Sequence, residues 1–179
     1  MRKIIEYTLV SIDGVCAGPV LAAFGEYRDD AYMRDGLGQV LASDAMLMGR
    51  TTYEAFANIW PKRTDPWAEA VNAIKKYVFS SKLENADWNN ATIVRGDVVA
   101  EVTRLKQEAG RNLLVYGHGL LGETLLKHRL LDVLDVSIHP VIAGQGRLFF
   151  RDAERAKWQL VATKSFTKGI VKLTYEPHE

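Results

Sequence analysis

Short apolar runs alternate with helix-period segments through the first 130 residues, and then the alternation stops. Residues 3–12 (KIIEYTLVSI) place Ile5, Tyr7 and Leu9 on one face beside β-branched neighbours, which predicts a first strand. Asp13-Gly14 breaks it, and a loop containing Gly and Pro runs to about Phe24. Between about Glu26 and Ser43, Met33, Leu37, Val40 and Leu41 recur at helical spacing, weakened by Gly36 and Gly38. Residues 45–48 (AMLM) are wholly apolar, as a buried parallel strand requires. Gly49-Arg50-Thr51-Thr52 opens a short helix to Ile59 that stops before Trp60-Pro61. Asp65-Pro66 combines an N-cap with proline at the first helical position, so a helix runs to about Ile74.

Tyr77-Val78-Phe79 is the next strand, leading into Ser80-Ser81, and Ala91 to Val94 is another. Asp97 caps a helix striped by Val98, Val102, Leu105 and Ala109, with Gly110 as its stop. Leu113 to Tyr116 is a buried strand ending at Gly117-His118-Gly119, followed by a helix to about Leu130. Val133 to Ile142 then reads as one long strand, and 158–167 and 170–176 as two more joined at Lys168-Gly169. With no repeat, low-complexity stretch or long linker, the 179 residues fit one α/β domain spanning 1–179. Its expected centre is a mixed, mostly parallel sheet with helices on both faces and a C-terminal antiparallel hairpin.

Charge and cysteine usage narrow the function. Twenty-three Lys and Arg against twenty-two Asp and Glu leave a net charge of +1, which argues against a nucleic-acid platform. A small phosphorylated ligand needs only a few donors and stays open. Cys16 is the sole cysteine, so an intrachain disulfide and a Cys-rich zinc site are both excluded. It reads as a small loop or core residue. The four histidines (118, 128, 139 and 178) show no His-x3-His pairing, and no metal is expected. Glu6 and Asp13 interrupt any signal-peptide core, and no apolar run approaches the roughly 20 residues of a membrane span. The expectation is a cytoplasmic protein without membrane contact.

In such sheets ligands gather at the carboxyl ends of the strands. Three strand ends here suit an anion. Gly49-Arg50-Thr51-Thr52 offers a close backbone approach, amides, hydroxyls and a bidentate cation. Ser80-Ser81-Lys82 offers two hydroxyls and an ammonium. Gly117-His118-Gly119-Leu120-Leu121-Gly122 is a glycine-rich turn into a helix. Each taken alone is ordinary, since Gly and Ser are common where strands stop. Together they favour a phosphate-bearing ligand. The last segment fits G-x-G-x-x-G, but no βαβ unit follows, and Asp135, the nearest acid at the required distance, lies inside the long strand. It is a different phosphate turn.

Met48-Gly49-Arg50-Thr51-Thr52-Tyr53-Glu54 resembles the Met-Gly-Arg-x-Thr-x-Glu segment of dihydrofolate reductases. Ser80-Ser81 and Val115-Tyr116-Gly117-His118-Gly119 fall where that fold places its other cofactor segments. Ser11-Ile12-Asp13-Gly14 and Ile138-His139-Pro140-Val141-Ile142-Ala143-Gly144-Gln145-Gly146 are more similar still to a sister group. That group is the reductase domain of the bifunctional riboflavin-biosynthesis deaminase/reductase, with its stand-alone bacterial relatives. The resemblance covers nearly the whole chain.

It implies a dihydrofolate-reductase-like fold that binds NADPH. By position, Gly49, Arg50, Thr51 and Thr52 would hold the pyrophosphate and the 2′-phosphate, while Ser80, Ser81 and Lys82 would flank the adenine end. Gly117, His118, Gly119, Leu120 and Leu121 would line the pyrophosphate from the other side, and backbone near Val10 and Ala17 would fix the carboxamide. Asp13 is either a turn-shaping residue or a substrate hydroxyl ligand. Asp30 is the candidate for the carboxylate that grips a pteridine, or else an ordinary acid of a helix N-terminus. Either acid, or water, would supply the proton. The pocket would be walled by Asp13, Gly14, Phe24 and Asp30, with Arg28 or Arg147 reaching an anionic group of the substrate.

Two departures from dihydrofolate reductase are visible. His118 replaces one of two adjacent glycines, and Gly18-Pro19-Val20-Leu21-Ala22-Ala23-Phe24 stands where a Trp and Leu-Pro segment belongs. The deaminase signature of His-x-Glu with Pro-Cys-x-x-Cys is absent as well. The leading expectation is therefore an NADPH-dependent reductase resembling 5-amino-6-(5-phosphoribosylamino)uracil reductase, acting on a small hydroxylated anionic substrate. The alternatives are an NADP-binding module without turnover, a pterin reductase of the same fold, or a purely structural oligomer-forming domain. The long strand 133–142 and the hairpin residues Phe166, Ile170, Val171, Leu173 and Tyr175 present enough sheet edge to predict a homodimer, unless helices cover them within one chain.

Overall fold

A computed structural model describes residues 1–150 and 155–178 of the chain. The first half contains β1 (Ile4–Ser11), β2 (Val15–Ala17), α1 (Val20–Ala23), α2 (Asp30–Leu41), β3 (Ser43–Gly49), α3 (Arg50–Ile59), α4 (Pro66–Ala73) and β4 (Lys75–Phe79). The second contains β5 (Ala91–Val94), α5 (Val98–Gln107), β6 (Asn112–Tyr116), α6 (Leu120–Lys127), β7 (Val133–His139), β8 (Arg147–Leu148), β9 (Trp158–Ser165) and β10 (Val171–Pro177). Eight strands form one sheet in the order β5-β4-β3-β6-β1-β7-β10-β9. Pairing is parallel from β5 through β7, and β10 runs antiparallel to both β7 and β9. This is the mixed, mostly parallel α/β sheet of the dihydrofolate-reductase-like fold.

Period-two alternation sends successive side chains to opposite faces, and each face has its own core. Ile4, Leu47, Leu113 and Val115 pack with Val102 and Leu105 of α5 and Leu121 and Leu125 of α6. Tyr7, Met46, Met48, Leu114 and Tyr116 pack with Tyr32 of α2, Tyr53 of α3 and Trp67 of α4. Caps read from sequence are in place. The Asp65 side chain accepts from the Ala68 N–H and that of Asp97 from the Ala100 N–H. Gly36, a weak point in the helical pattern, is a packing requirement: a Cβ there would lie 2.5 Å from the Trp67 ring.

Five boundaries differ from expectation, and one is the end of α5, which stops at Gln107 and leaves Ala109 exposed beyond the helix. The loop after β1 contains β2, which pairs antiparallel with β8 over a separation of about 130 residues. α2 begins at Asp30, because Phe24–Tyr27 winds as a 3-10 turn and Asp29 caps the helix by accepting from the Tyr32 N–H. The strand expected to reach Ile142 stops at His139, since Pro140 has no N–H to continue the ladder. α6 ends at Lys127, where Arg129 turns to a positive φ of 54°. The edge argument also needs correcting: Phe166 and Ile170 are buried within this chain.

Candidate functional site

Parallel pairing brings the carboxyl ends of β1, β3, β4, β6 and β7 to one edge of the sheet. β3 and β6 are neighbours there, so Gly49 and the turn at Gly117 open side by side. Gly49 is the N-cap of α3 and Gly119 the N-cap of α6, and neither helix has a side-chain cap. Their first-turn N–H groups are left to an outside acceptor. A Cβ at Gly49 or Gly117 would meet nothing within 4 Å, so the backbone faces open space at both turns.

The other nucleotide-side residues divide. Arg50, Thr51, Ser81 and Lys82 are exposed and Thr52 is half-buried. The Arg50 guanidinium donates to both Glu54 carboxylate oxygens at 2.9 Å, an exposed pair that a stronger anion can displace. Ser80 is committed to the turn, its Oγ accepting from the N–H groups of Lys82 and Leu83. Arg95 donates to the carbonyls of Ser81 and Leu83 and holds this loop in place. His118 does not point outward. Its ring is buried and its Nδ1 lies 2.7 Å from Glu6 Oε1. Leu120 projects into solvent, whereas Leu121 and Val10 belong to the core. Ala17 pairs with Arg147 across the β2–β8 ladder.

Residues placed by sequence around the substrate do not form one wall. Asp13 accepts from Ser11 Oγ at 2.6 Å and from the N–H groups of Ala143 and Gly144 at 2.9 and 2.8 Å. Those bonds hold its carboxyl down at about 2 and tie the end of β1 to the loop after β7. Of its two readings, the turn-shaping one fits, with Gly14 at φ 82° supplying the left-handed step. Phe24 is fully buried and stacks on His139 at 4.2 Å, which makes it a core residue rather than a pocket wall. Asp30 is exposed on the first turn of α2. Asp29 does the work there, accepting from the Tyr32 N–H and from the Thr167 N–H and hydroxyl. Arg147 ion-pairs with Glu123 of α6 and lies against Gly119, whereas Arg28 adjoins α2 on the opposite face.

The family follows from this edge. Residues 2–172 match the RibD C-terminal domain family. The chain belongs to that family. The uncharacterized protein YyaP of Bacillus subtilis (strain 168) is 32% identical over 181 residues, covering 97% of this chain and 94% of YyaP. A Shewanella sp. PV-4 protein assigned provisionally to riboflavin biosynthesis superposes with a TM-score of 0.76 at 18% identity, over the whole of both chains. A Thermotoga maritima deaminase/5-amino-6-(5-phosphoribosylamino)uracil reductase superposes at 0.68 and 14% identity, over 99% of this chain and 57% of that one. The RibD C-terminal assignment agrees with the resemblance carried by the strand-end motifs, and the fold is that of a riboflavin-type reductase-like domain.

On the α2 side of this RibD C-terminal domain, His139 and the Tyr7–Tyr32 pair were not singled out from sequence as site chemistry. His139 is fully buried, donates from Nδ1 to the Ser137 carbonyl at 3.1 Å, and leaves Nε2 without a partner. Burial, with Arg28 nearby, pushes its imidazole down to about 4, so it is a neutral acceptor. Arg28 Nε is likewise buried and unpartnered. Tyr7 and Tyr32 hydrogen-bond through their hydroxyls, with Ser137 Oγ 3.3 Å from that of Tyr7. Tyr7, Ser137 and His139 show in the sequence only as polar residues inside apolar strands, whereas Tyr32 lies on α2. Among the described residues, no His/Cys/Asp/Glu cluster could hold a metal, and no helix is long and apolar enough to cross a membrane.

Proposed function

We propose that this chain is an NADPH-dependent reductase of a small, hydroxylated, anionic substrate, of the type that reduces 5-amino-6-(5-phosphoribosylamino)uracil. The observation that carries the reading is the pair of uncapped helix N-termini, α3 and α6, opening from adjacent strands with clear space at Gly49 and Gly117. Two such termini suit the two phosphates of a dinucleotide. Arg50, Ser81 and Lys82 supply exposed donors for a 2′-phosphate at the same edge. NADPH would supply the hydride, delivered in the riboflavin-type reaction to C1′ of the open phosphoribosylamine to give a ribityl product.

The chain's own part is binding, orientation and exclusion of water. Neither Asp13, held ionised, nor neutral His139 is a proton donor near pH 7, which leaves that role to exposed Asp30 or to water. A pterin reductase is disfavoured because no buried carboxylate at α2 is free to grip a pteridine. Asp29 is tied to Thr167, Asp35 is paired with Lys164 and Lys172, and Asp30 faces solvent. We also propose a homodimer through β9, which is exposed on both faces from Gln159 to Ser165, with Leu160 and Val161 about half exposed. Light scattering that stays at the monomer mass at high concentration would reject the dimer.

Fluorescence titration with NADPH and NADH tests the reading. NADPH should bind more tightly, and Arg50→Ala should lose roughly 1.5–3 kcal/mol of that preference. Equal wild-type affinities would overturn the cofactor assignment. Oxidation of NADPH with a panel of ribosylaminopyrimidine, pterin and simple carbonyl substrates then separates a reductase from a binding module without turnover.

A further inference from the structure

Beneath the glycine-rich turn lies a buried acid–histidine pair that the reductase reading does not use. Glu6 projects from β1 toward α6 and is fully buried. Its Oε1 meets His118 Nδ1 at 2.7 Å and accepts from Thr8 Oγ1 at 3.1 Å, while Oε2 has no hydrogen-bond partner. His118 is itself buried and meets Phe149 edge-on at 4.9 Å. Gly122, in the first turn of α6, packs over both: a Cβ there would lie 2.5 Å from Glu6 Oε2 and 2.7 Å from His118 Nδ1. The charged groups nearby are Glu123 and Arg147, paired with each other, and Cys16 of β2 lies beside them.

A buried carboxylate with one oxygen unpartnered is costly, and an apolar residue on this aliphatic face would avoid the cost. What the arrangement achieves is directional. By drawing the His118 side chain down into the core, Glu6 fixes the middle of the turn between Gly117, at φ 74°, and the extended Gly119. That orientation turns the uncapped N-terminus of α6 toward the strand-end cleft. We propose that Glu6 and His118 are positioning residues for the pyrophosphate–nicotinamide half of the dinucleotide, with Gly122 as the spacer that lets the pair form. The inference rests on the NADPH reading and makes no claim on the 2′-phosphate end, where Arg50, Ser81 and Lys82 lie.

The two ends can be probed separately. NADPH and adenosine 2′-monophosphate, which lacks the whole pyrophosphate–nicotinamide half, are titrated against wild type, His118→Leu, His118→Asn, Glu6→Leu and Gly122→Ala. His118→Leu, Glu6→Leu and Gly122→Ala should each weaken NADPH about tenfold or more while leaving adenosine 2′-monophosphate within about twofold. His118→Asn, whose amide can still donate to Glu6, should recover most of the lost affinity. A parallel loss of both ligands, or no loss of either, would overturn the positioning role. Should the leucine variants fail to fold, Gly122→Ala and His118→Asn carry the comparison. Wild type binding neither ligand would defeat the NADPH reading and this inference with it, whereas wild-type binding with an unchanged ligand ratio in the variants defeats this inference alone.

Discussion

On the face covered by α5 and α6, the buried side chains are mostly aliphatic: Ile4, Leu47, Val102, Leu105, Leu113 and Leu125. Under α2, α3 and α4 the core is instead aromatic, with Tyr7, Tyr32, Tyr53, Trp60, Trp67, Trp88 and Tyr116. The aliphatic side chains need no hydrogen-bond partners, and the buried polar groups among them include Glu6 with His118 and Thr8, and Arg2 with Asp44. The aromatic face brings polar tips inside and must satisfy them one by one. Trp67 Nε1 donates to the Tyr116 hydroxyl, the Trp88 N–H to the Tyr53 hydroxyl, and Tyr7 and Tyr32 bond to each other. Near the carboxyl edge that satisfaction runs out, at His139 Nε2 and Arg28 Nε. Neither face is fully satisfied: the aliphatic side, dry elsewhere beneath the glycine turn, leaves Glu6 Oε2 unpartnered.

The largest effects should come from the two cores and should differ in kind. Trp67→Ala on the aromatic face should cost about 3–5 kcal/mol, and Leu105→Ala on the aliphatic face about 2–5. Urea unfolding measures both. Trp67→Phe, which keeps a ring but strands the Tyr116 hydroxyl, should still lose about 1–3 kcal/mol. A neutral Trp67→Phe would mean that the polar tips on this face add nothing to stability.

Acid should separate the faces next. His139 sits at about 4 in the folded protein against 6.5 ordinarily, because burial disfavours its charged form. The unfolded chain therefore binds a proton between those values that the folded one refuses. Its contribution is fully present above pH 6.5 and is lost as pH falls through 4, by up to about 3 kcal/mol. Below that, Asp13 and Asp29, both held at about 2 by hydrogen bonds, lose their contributions in turn as they protonate. In His139→Phe the loss between pH 6.5 and 4.5 should shrink, whereas in Leu105→Ala it should match wild type. Identical pH slopes in wild type and His139→Phe would remove the buried neutral histidine from the account.

The smallest predicted effect sharpens the comparison at one contact. Gly36→Ala drives a methyl into the Trp67 ring and should cost about 1–3 kcal/mol, while Gly38→Ala, which meets nothing within 4 Å, should be neutral or slightly stabilising. Two alanines on one helix thus report where the aromatic layer touches it. Thermal unfolding of the pair is enough, and equal shifts would show that Trp67 yields freely.

Features with local causes were legible in the sequence. Asp65-Pro66 and Asp97 announce their helices because a cap acts within three residues. Lys168-Gly169 announces its hairpin, with Gly169 at φ 93°, because the turn's geometry demands it. The strand-end glycines were legible for the same reason, and their motifs carried the family. What could not be read has partners far along the chain. β2 and β8 are two or three residues each and exist only through one another. Asp29 rather than Asp30 became the working acid of α2 because Thr167 of the hairpin comes within reach. Phe24 went to the core because His139 lay ready to stack on it.

The order of elements, the parallel sheet and the edge where its strand ends collect follow from hydrophobic period and turn chemistry, which act over a few residues. The orientation of each polar group at that edge does not. Glu6 finds His118 across 112 residues, and Asp13 finds Ala143 and Gly144 across 130 and 131. Burial then decides which hydrogen bonds are met and leaves His139 Nε2 and Arg28 Nε without them. Desolvation and hydrogen bonding depend on every element packed around a group, so they become definite only when the sheet has closed over both cores.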